Sequence, residues 1–145
     1  MPCSRAALRR RTTGSLALCV LALTGCGGGS SAQSQVRATL DRLGQAVATH
    51  DYVTVCDKLL APALTDQFTA IGLPCATGLA RGFGAARAPH LTVRSVSVSG
   101  TRATAVVHTT ATNQPPSDDT VALERVQGSW RVSSLSPPAR PRAKA

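Results

Sequence analysis

The sequence predicts an α+β domain carried behind an export signal, on three observations. A basic start and a ten-residue apolar run, Gly14 to Leu23, precede everything else. Apolar residues then recur at helical spacing up to about residue 87, and from Leu91 onward they recur at every second position. Helices followed by antiparallel strands make an α+β arrangement. Here three N-terminal helices are expected to pack on one face of a curved antiparallel sheet of about four strands.

The front end is read first. Arg5, Arg9, Arg10 and Arg11 supply the positive charge before the apolar run. A membrane-spanning helix needs about twenty apolar residues, so this run is too short to span and has the length of a signal-peptide core. It ends in Leu23-Thr24-Gly25-Cys26. That order of a branched apolar residue, two small residues and cysteine resembles a bacterial lipobox. The resemblance implies that residues 1–25 are a signal peptide and that Cys26 becomes the acylated N-terminus. Gly27, Gly28, Gly29, Ser30, Ser31 and Ser34 make residues 26–34 a lipidated cysteine on a flexible tether. The expected location is extracytoplasmic, on the outer face of a bacterial cell membrane, which would be the first partner. Two or more acyl chains hold a protein stably at a bilayer, where one does not.

Composition then excludes several classes. The formal charge is +9, but four of those charges precede the apolar run and three, Arg140, Arg142 and Lys144, sit in a proline-rich tail, leaving only +2 between. Basicity at the two ends, in a chain outside the cytoplasm, excludes nucleic acid as a partner. Aromatic residues are 3% of the chain, too few for a sugar cleft or a base-stacking platform. The tail, residues 137–145, is expected to be disordered and could touch anionic lipid through its three cations.

Of the five cysteines, Cys3 and Cys19 leave with the signal peptide and Cys26 takes the lipid. Cys56 and Cys75 remain, an even number in an oxidising compartment, and are expected to form a disulfide. There is no second cysteine pair and no histidine at ligand spacing, so no metal site is expected.

The domain is expected over residues 35–136. Ser34 can cap a first helix on which Val36, Leu40, Leu43 and Val47 share a face. His50 should close that helix. Asp51 has the position of an N-cap for a second helix carrying Tyr52, Val55, Cys56, Leu59 and Leu60. Pro62 either interrupts that helix or starts a further turn bearing Leu64 and Phe68. A third helix, from Cys75 to about Arg87, is weakened by Gly78, Gly82 and Gly84, each costing about 1 kcal/mol against alanine. In the strand region, a two-residue turn at Gly100-Thr101 pairs Val98 with Ala103 and Val96 with Ala105. Leu91 and Val93 are out of phase with Val96, which calls for a β-bulge near Arg94-Ser95. A second hairpin joins Val121, Leu123 and Val126 to Trp130 and Val132 through Gln127-Gly128-Ser129, with an ambiguous register. Asn113 to Asp119 is polar and broken by prolines, hence a long loop.

With these residues in view, 36–135 resembles small exported domains of the NTF2-like superfamily, the cystatin-like α+β cone. The carriers are the His50-Asp51-Tyr52 junction, Cys56 and Cys75 bracketing the later helices, the Val96–Ala105 hairpin, and the Gly128-Ser129-Trp130-Arg131-Val132 ending. The resemblance implies a sheet curved around a cone, with Glu124, Arg125 and Trp130 as possible lining. The chain lacks the small early hairpin of fuller members, which implies a shallow cone.

Candidate chemistry is sparse. His90 and His108 stand at strand positions, with His108 on the face opposite Val107 and so expected to face solvent. Ser95, Ser97 and Ser99 are outward strand residues rather than a nucleophile elbow. Asp118-Asp119 reads as a solvated loop pair. No catalytic residue and no cofactor is assigned. The expected function is a lipid-anchored, non-catalytic binding or interaction module with a protein or small-molecule ligand. The alternative is a small NTF2-like isomerase or dehydratase with a shallow cone site. A filled interior would favour the first, and a cavity lined by Glu124 and a histidine the second.

Overall fold

The structure is a computed structural model and describes residues 31–136. The expected signal peptide, Cys26, most of the expected tether and the tail with Arg140, Arg142 and Lys144 lie outside the described residues. Among the described residues no helix is long and apolar enough to cross a membrane.

The first helix, α1, runs Ala32–Ala48, and its cap is Ser31 rather than Ser34. The Ser31 hydroxyl accepts from the Ser34 amide at 3.2 Å, so the helix begins three residues inside the expected tether. Val36, Leu40, Leu43 and Ala46 fill its buried face, and full burial of such a side chain stabilises by about 1.5–3 kcal/mol. His50 lies beyond the helix end at a left-handed φ of 57°. Its Nδ1 is 3.0 Å from the Tyr52 hydroxyl.

Asp51 caps α2 as expected, its carboxylate accepting from the Thr54 amide at 3.1 Å. Only Tyr52–Thr54 is α-helical; Val55–Leu59 continues as a π-helical turn. The wider turn ends at Leu60, whose extended backbone bridges to Val132, and the Ala61 amide donates to the Val132 carbonyl at 2.7 Å. Pro62 therefore starts a separate helix, α3, Pro62–Ala70, where its missing N–H costs nothing. The fourth helix, α4, is Cys75–Phe83 and stops short of Arg87. Four helical segments thus replace the three expected. The disulfide joins Cys56 of the π-helical turn to Cys75 of α4, with Cα atoms 6.1 Å apart.

Four strands form an antiparallel meander in the order β1-β2-β3-β4: His90–Ser99, Arg102–Ala111, Gln114–Val126 and Ser129–Ser136. Val98 pairs with Ala103 and Val96 with Ala105, and the register slips between Val93 and Ser95, as the phase change requires. The Gln127-Gly128 turn has φ of 48° and 82°, the two left-handed positions that a type I′ hairpin turn needs. A second slip, between Ala122 and Leu123, settles the ambiguous register: Leu123 pairs with Val132 and Val121 with Leu135.

The long loop expected at 113–119 is absent. Thr112 and Asn113 make a tight turn and β3 begins at Gln114. Pro115 and Pro116 fall where the register shifts, between the Ala111–Gln114 and Thr109–Ser117 pairs, and they precede the first β4 partner at Thr120. The strand has a neighbour on one side only there, so a missing donor breaks no ladder.

The core lies between α1, α2 and the inner face of the sheet, with Leu40, Leu123, Val36, Val55, Val107, Val121 and Val132 fully buried. No α3 residue is buried and α4 buries only Leu79. Helix α4 packs on α2 and α3. The Phe68 ring covers Gly78, where a Cβ would fall 2.5 Å from the ring.

Candidate functional site: an apolar cone and its polar wall

Alternation along the strands sets what the cone contains. Ala103, Ala105, Val107, Val121, Leu123 and Val132 are buried on the inner face. Two residues before Val121, on the same face, comes Asp119, opposite Val107 in the β2–β3 register. Ser117 follows, opposite Thr109.

Between this face and the helices lies a cavity of about 430 Å³, within the range of roughly 300–1,000 Å³ usual for small-molecule sites. Its helical walls are Leu43, Gly44 and Val47 of α1, Val55 and Leu60, and Leu64, Phe68, Leu79 and Phe83 of α3 and α4. The sheet contributes Val107, Val121, Thr109, Ser117 and Asp119. Ala86, Pro89, His90, Leu91, Thr110, Ala111, Gln114, Pro115 and Leu135 complete the lining. The cone is thus open, and it reaches core residues Val55 and Val121, deeper than the missing early hairpin suggested.

One wall is polar. The Ser117 hydroxyl donates to Asp119 Oδ2 at 2.8 Å, and the hydroxyls of Ser117 and Thr109 are 2.8 Å apart. Asp119 is half-buried, and among the described residues no basic side chain pairs with it.

The segment between α4 and β1 is held in place by Asn113. The Arg87 amide donates to its side-chain carbonyl at 2.8 Å, and its side-chain amide donates to the Ala85 carbonyl at 2.8 Å. Thr112 N donates to Arg87 O at 2.9 Å. This clasp fixes Ala86 and Pro89 as cavity lining.

The residues expected to line the cone fall elsewhere. Glu124 follows the buried Leu123, so it projects from the opposite, outer face, in register with Arg102 and Arg131. Arg125 and Trp130 are on the inner face, at the end near the start of α1. The Arg125 guanidinium donates to Gln35 Oε1 at 2.6 Å and lies 5.4 Å from the Trp130 ring centroid. None of the three lines the cavity. Trp130 instead borders a more open cleft of about 710 Å³ between α1, α2 and the start of β4, with Arg42, Lys58 and Arg131. Its indole nitrogen is buried without a hydrogen-bond partner among the described residues. His108 is 2.8 Å from Asp118 across the outer face. Asp118 and Asp119, expected as a solvated loop pair, are strand residues on opposite faces. Among the described residues no group of three His, Cys, Asp or Glu side chains could hold a metal ion.

Sequence reasoning missed Asp119, Ser117 and Thr109 as lining because it placed 113–119 in a loop. The signal was present: Asp119 is in phase with Val121 and Leu123.

Four helical segments packed on a four-stranded antiparallel sheet make an α+β domain with an open, largely apolar interior. No family model matches the sequence, and no curated protein does. Solved structures match the fold. An NTF-2 like protein of unknown function from Silicibacter pomeroyi is 19% identical with a TM-score of 0.53, covering 70% of this chain and 90% of that one. A protein from Kribbella flavida is 18% identical with a TM-score of 0.53, over 75% and 92%. A SEC-C motif containing protein from Rhodopseudomonas palustris is 16% identical with a TM-score of 0.51, over 70% and 77%. At these identities the likeness concerns the fold alone.

Proposed function

We propose that this chain is a lipid-anchored module outside the cytoplasm that binds a small, largely apolar ligand in its cone. The observation that carries the reading is the cavity of about 430 Å³, walled by aliphatic and aromatic side chains and polar on one side. A site that apolar holds a molecule mainly by removing its surface from water. The anchoring half rests on the order of basic residues, short apolar run and Leu23-Thr24-Gly25-Cys26. The Cys56–Cys75 bridge supports it, since such bonds persist in oxidising compartments.

The catalytic reading has two observations in its favour: the interior is open rather than filled, and His90 lines the cavity together with the Asp119 carboxylate on an inner wall. Its hydrogen-bond partner there is the Ser117 hydroxyl, and Thr109 extends the chain. Binding requires only the cavity; catalysis requires two groups converging on the reacting atoms, and among the described residues no hydrogen bond or ion pair joins Asp119 to His90.

The test uses the mature chain with Cys26→Ser, which leaves residues 31–136 unaltered. N-phenyl-1-naphthylamine, a neutral apolar fluorophore, should bind saturably at one site. Ala111→Trp, at the cavity wall, should abolish that binding without unfolding the domain. Absent saturable binding, or equal binding by the Trp variant, would refute the reading.

A further inference from the structure

We infer that the cone selects apolar molecules carrying a single hydrogen-bond-donating head group, a protonated amine first and a hydroxyl second, and rejects carboxylates. This rests on the binding reading above and names its ligand class.

The charge inside the cavity is the argument. Its lining contains no Lys or Arg, its single carboxylate is Asp119, and its one histidine, His90, stands on β1, two strands away from Asp119 in the sheet order. The domain between the two basic ends carries +2, so its net charge would draw an anion rather than a cation. Local placement opposes that. Asp119 projects from the inner wall beside Val107 and Val121. Apolar neighbours lower the local dielectric, so a charge there acts more strongly than one in water.

The hydrogen bonds point the same way. Ser117 donates to Oδ2, and among the described residues no basic side chain pairs with the second oxygen. An ionised carboxylate accepts through both oxygens, so the wall offers an acceptor to an incoming donor. A half-buried carboxylate with spare acceptor capacity is costly to keep. A ligand ammonium or hydroxyl removes that cost, and a ligand carboxylate adds to it. The remaining lining takes the alkyl or ring body: Leu43, Phe68, Leu79 and Phe83 face it from the helices.

The experiment displaces bound N-phenyl-1-naphthylamine from the Cys26→Ser chain at neutral pH. The competitors are decylamine, decanol and decanoate, each below its micelle-forming concentration. They share one alkyl body, so differences report the head group. Decylamine should bind at least about tenfold more tightly than decanoate, the factor expected when one hydrogen bond becomes charge-assisted. Decanol should fall between them. Asp119→Asn should bring the amine-to-carboxylate ratio below about threefold, since both ions then meet a neutral amide. Ser117→Ala keeps the charge and should keep the ratio, as should Glu124→Gln on the outer face. Equal displacement by amine and carboxylate in the unsubstituted cavity would overturn the inference while leaving the binding reading intact. A ratio unchanged by Asp119→Asn would also overturn it. Failure of the fluorophore itself to bind would instead refute the binding reading. If Asp119→Asn does not fold, the ratio in the unsubstituted cavity still decides.

Discussion

Removing the disulfide tests how the helical wall of the cavity is held. Cys56 and Cys75 are 19 positions apart. Closing a loop of that length restricts the unfolded chain by about 3 kcal/mol. The native side has little else to replace it in this region. Helix α3 buries no residue and α4 buries only Leu79, which is worth about 1.5–3 kcal/mol. The bridge therefore rivals all the complete side-chain burial in residues 62–83. Cys56→Ala with Cys75→Ala should lower the unfolding free energy by about 3 kcal/mol, read as a fall in urea midpoint with the slope interpreted separately. The unsubstituted protein in reductant should approach the same midpoint. Amide exchange should rise first in α3 and α4, because they can open without disturbing α1 and the sheet. Fluorophore affinity should fall too, since Leu64, Phe68, Leu79 and Phe83 form that wall. A loss below about 1 kcal/mol would refute the loop-entropy argument. Uniform acceleration of exchange across α1, β2 and α4 would refute the claim of a separately held wall.

Two glycines of α4 should respond with opposite sign. Gly82 has nothing within 4 Å of a built Cβ, so Gly82→Ala should stabilise by roughly 0.5–1 kcal/mol; at Gly78 the Phe68 ring must move, a packing cost of about 1–3 kcal/mol that should outweigh the helix gain, both measured by urea titration. The Asp51 cap should make stability pH-dependent: hydrogen bonds from the Thr54 side chain and backbone hold its carboxyl below the usual range. Its contribution is present above the unfolded-state value and is lost as pH falls through the lowered one, and Asp51→Asn should remove that dependence in acid titrations followed by circular dichroism. Cys26→Ser should move the protein from the membrane pellet to the soluble fraction, and retention after a carbonate wash would count against the anchor. Deleting residues 137–145 should abolish low-salt association of the unlipidated chain with anionic vesicles while leaving the urea midpoint unchanged; equal binding by both forms would exclude Arg140, Arg142 and Lys144 as lipid contacts.

Much of the architecture was legible because its causes are local. Period-four and period-three spacing on α1, alternation on β1 and β2, and the turn residues Gly100 and Gly128 are short-range patterns, and the Gly100 turn sets the pairing of Val98 with Ala103 and Val96 with Ala105. The slip at Arg94 was readable as a phase change in the apolar residues. The disulfide followed from counting cysteines after the expected signal region was subtracted. The cap moved from Ser34 to Ser31 because both serines precede the same apolar face, and local pattern does not choose between them.

What the tertiary structure alone decided is the cone. Prolines 115 and 116 argue locally for a loop, yet the chain pairs there because that stretch of β3 lies beyond the end of β4 and one side needs no donor. That pairing turns Asp119 inward and leaves Glu124 outside. Gly78 reads as a weak helix position until the Phe68 ring is seen against it. The cavity exists because α4 packs on α2 and α3 rather than on the sheet, leaving unfilled volume between two well-formed layers. Spacing along a sequence specifies which side chains share a face; how far that face stands from its opposite wall depends on contacts between segments distant in the chain, which no local pattern encodes.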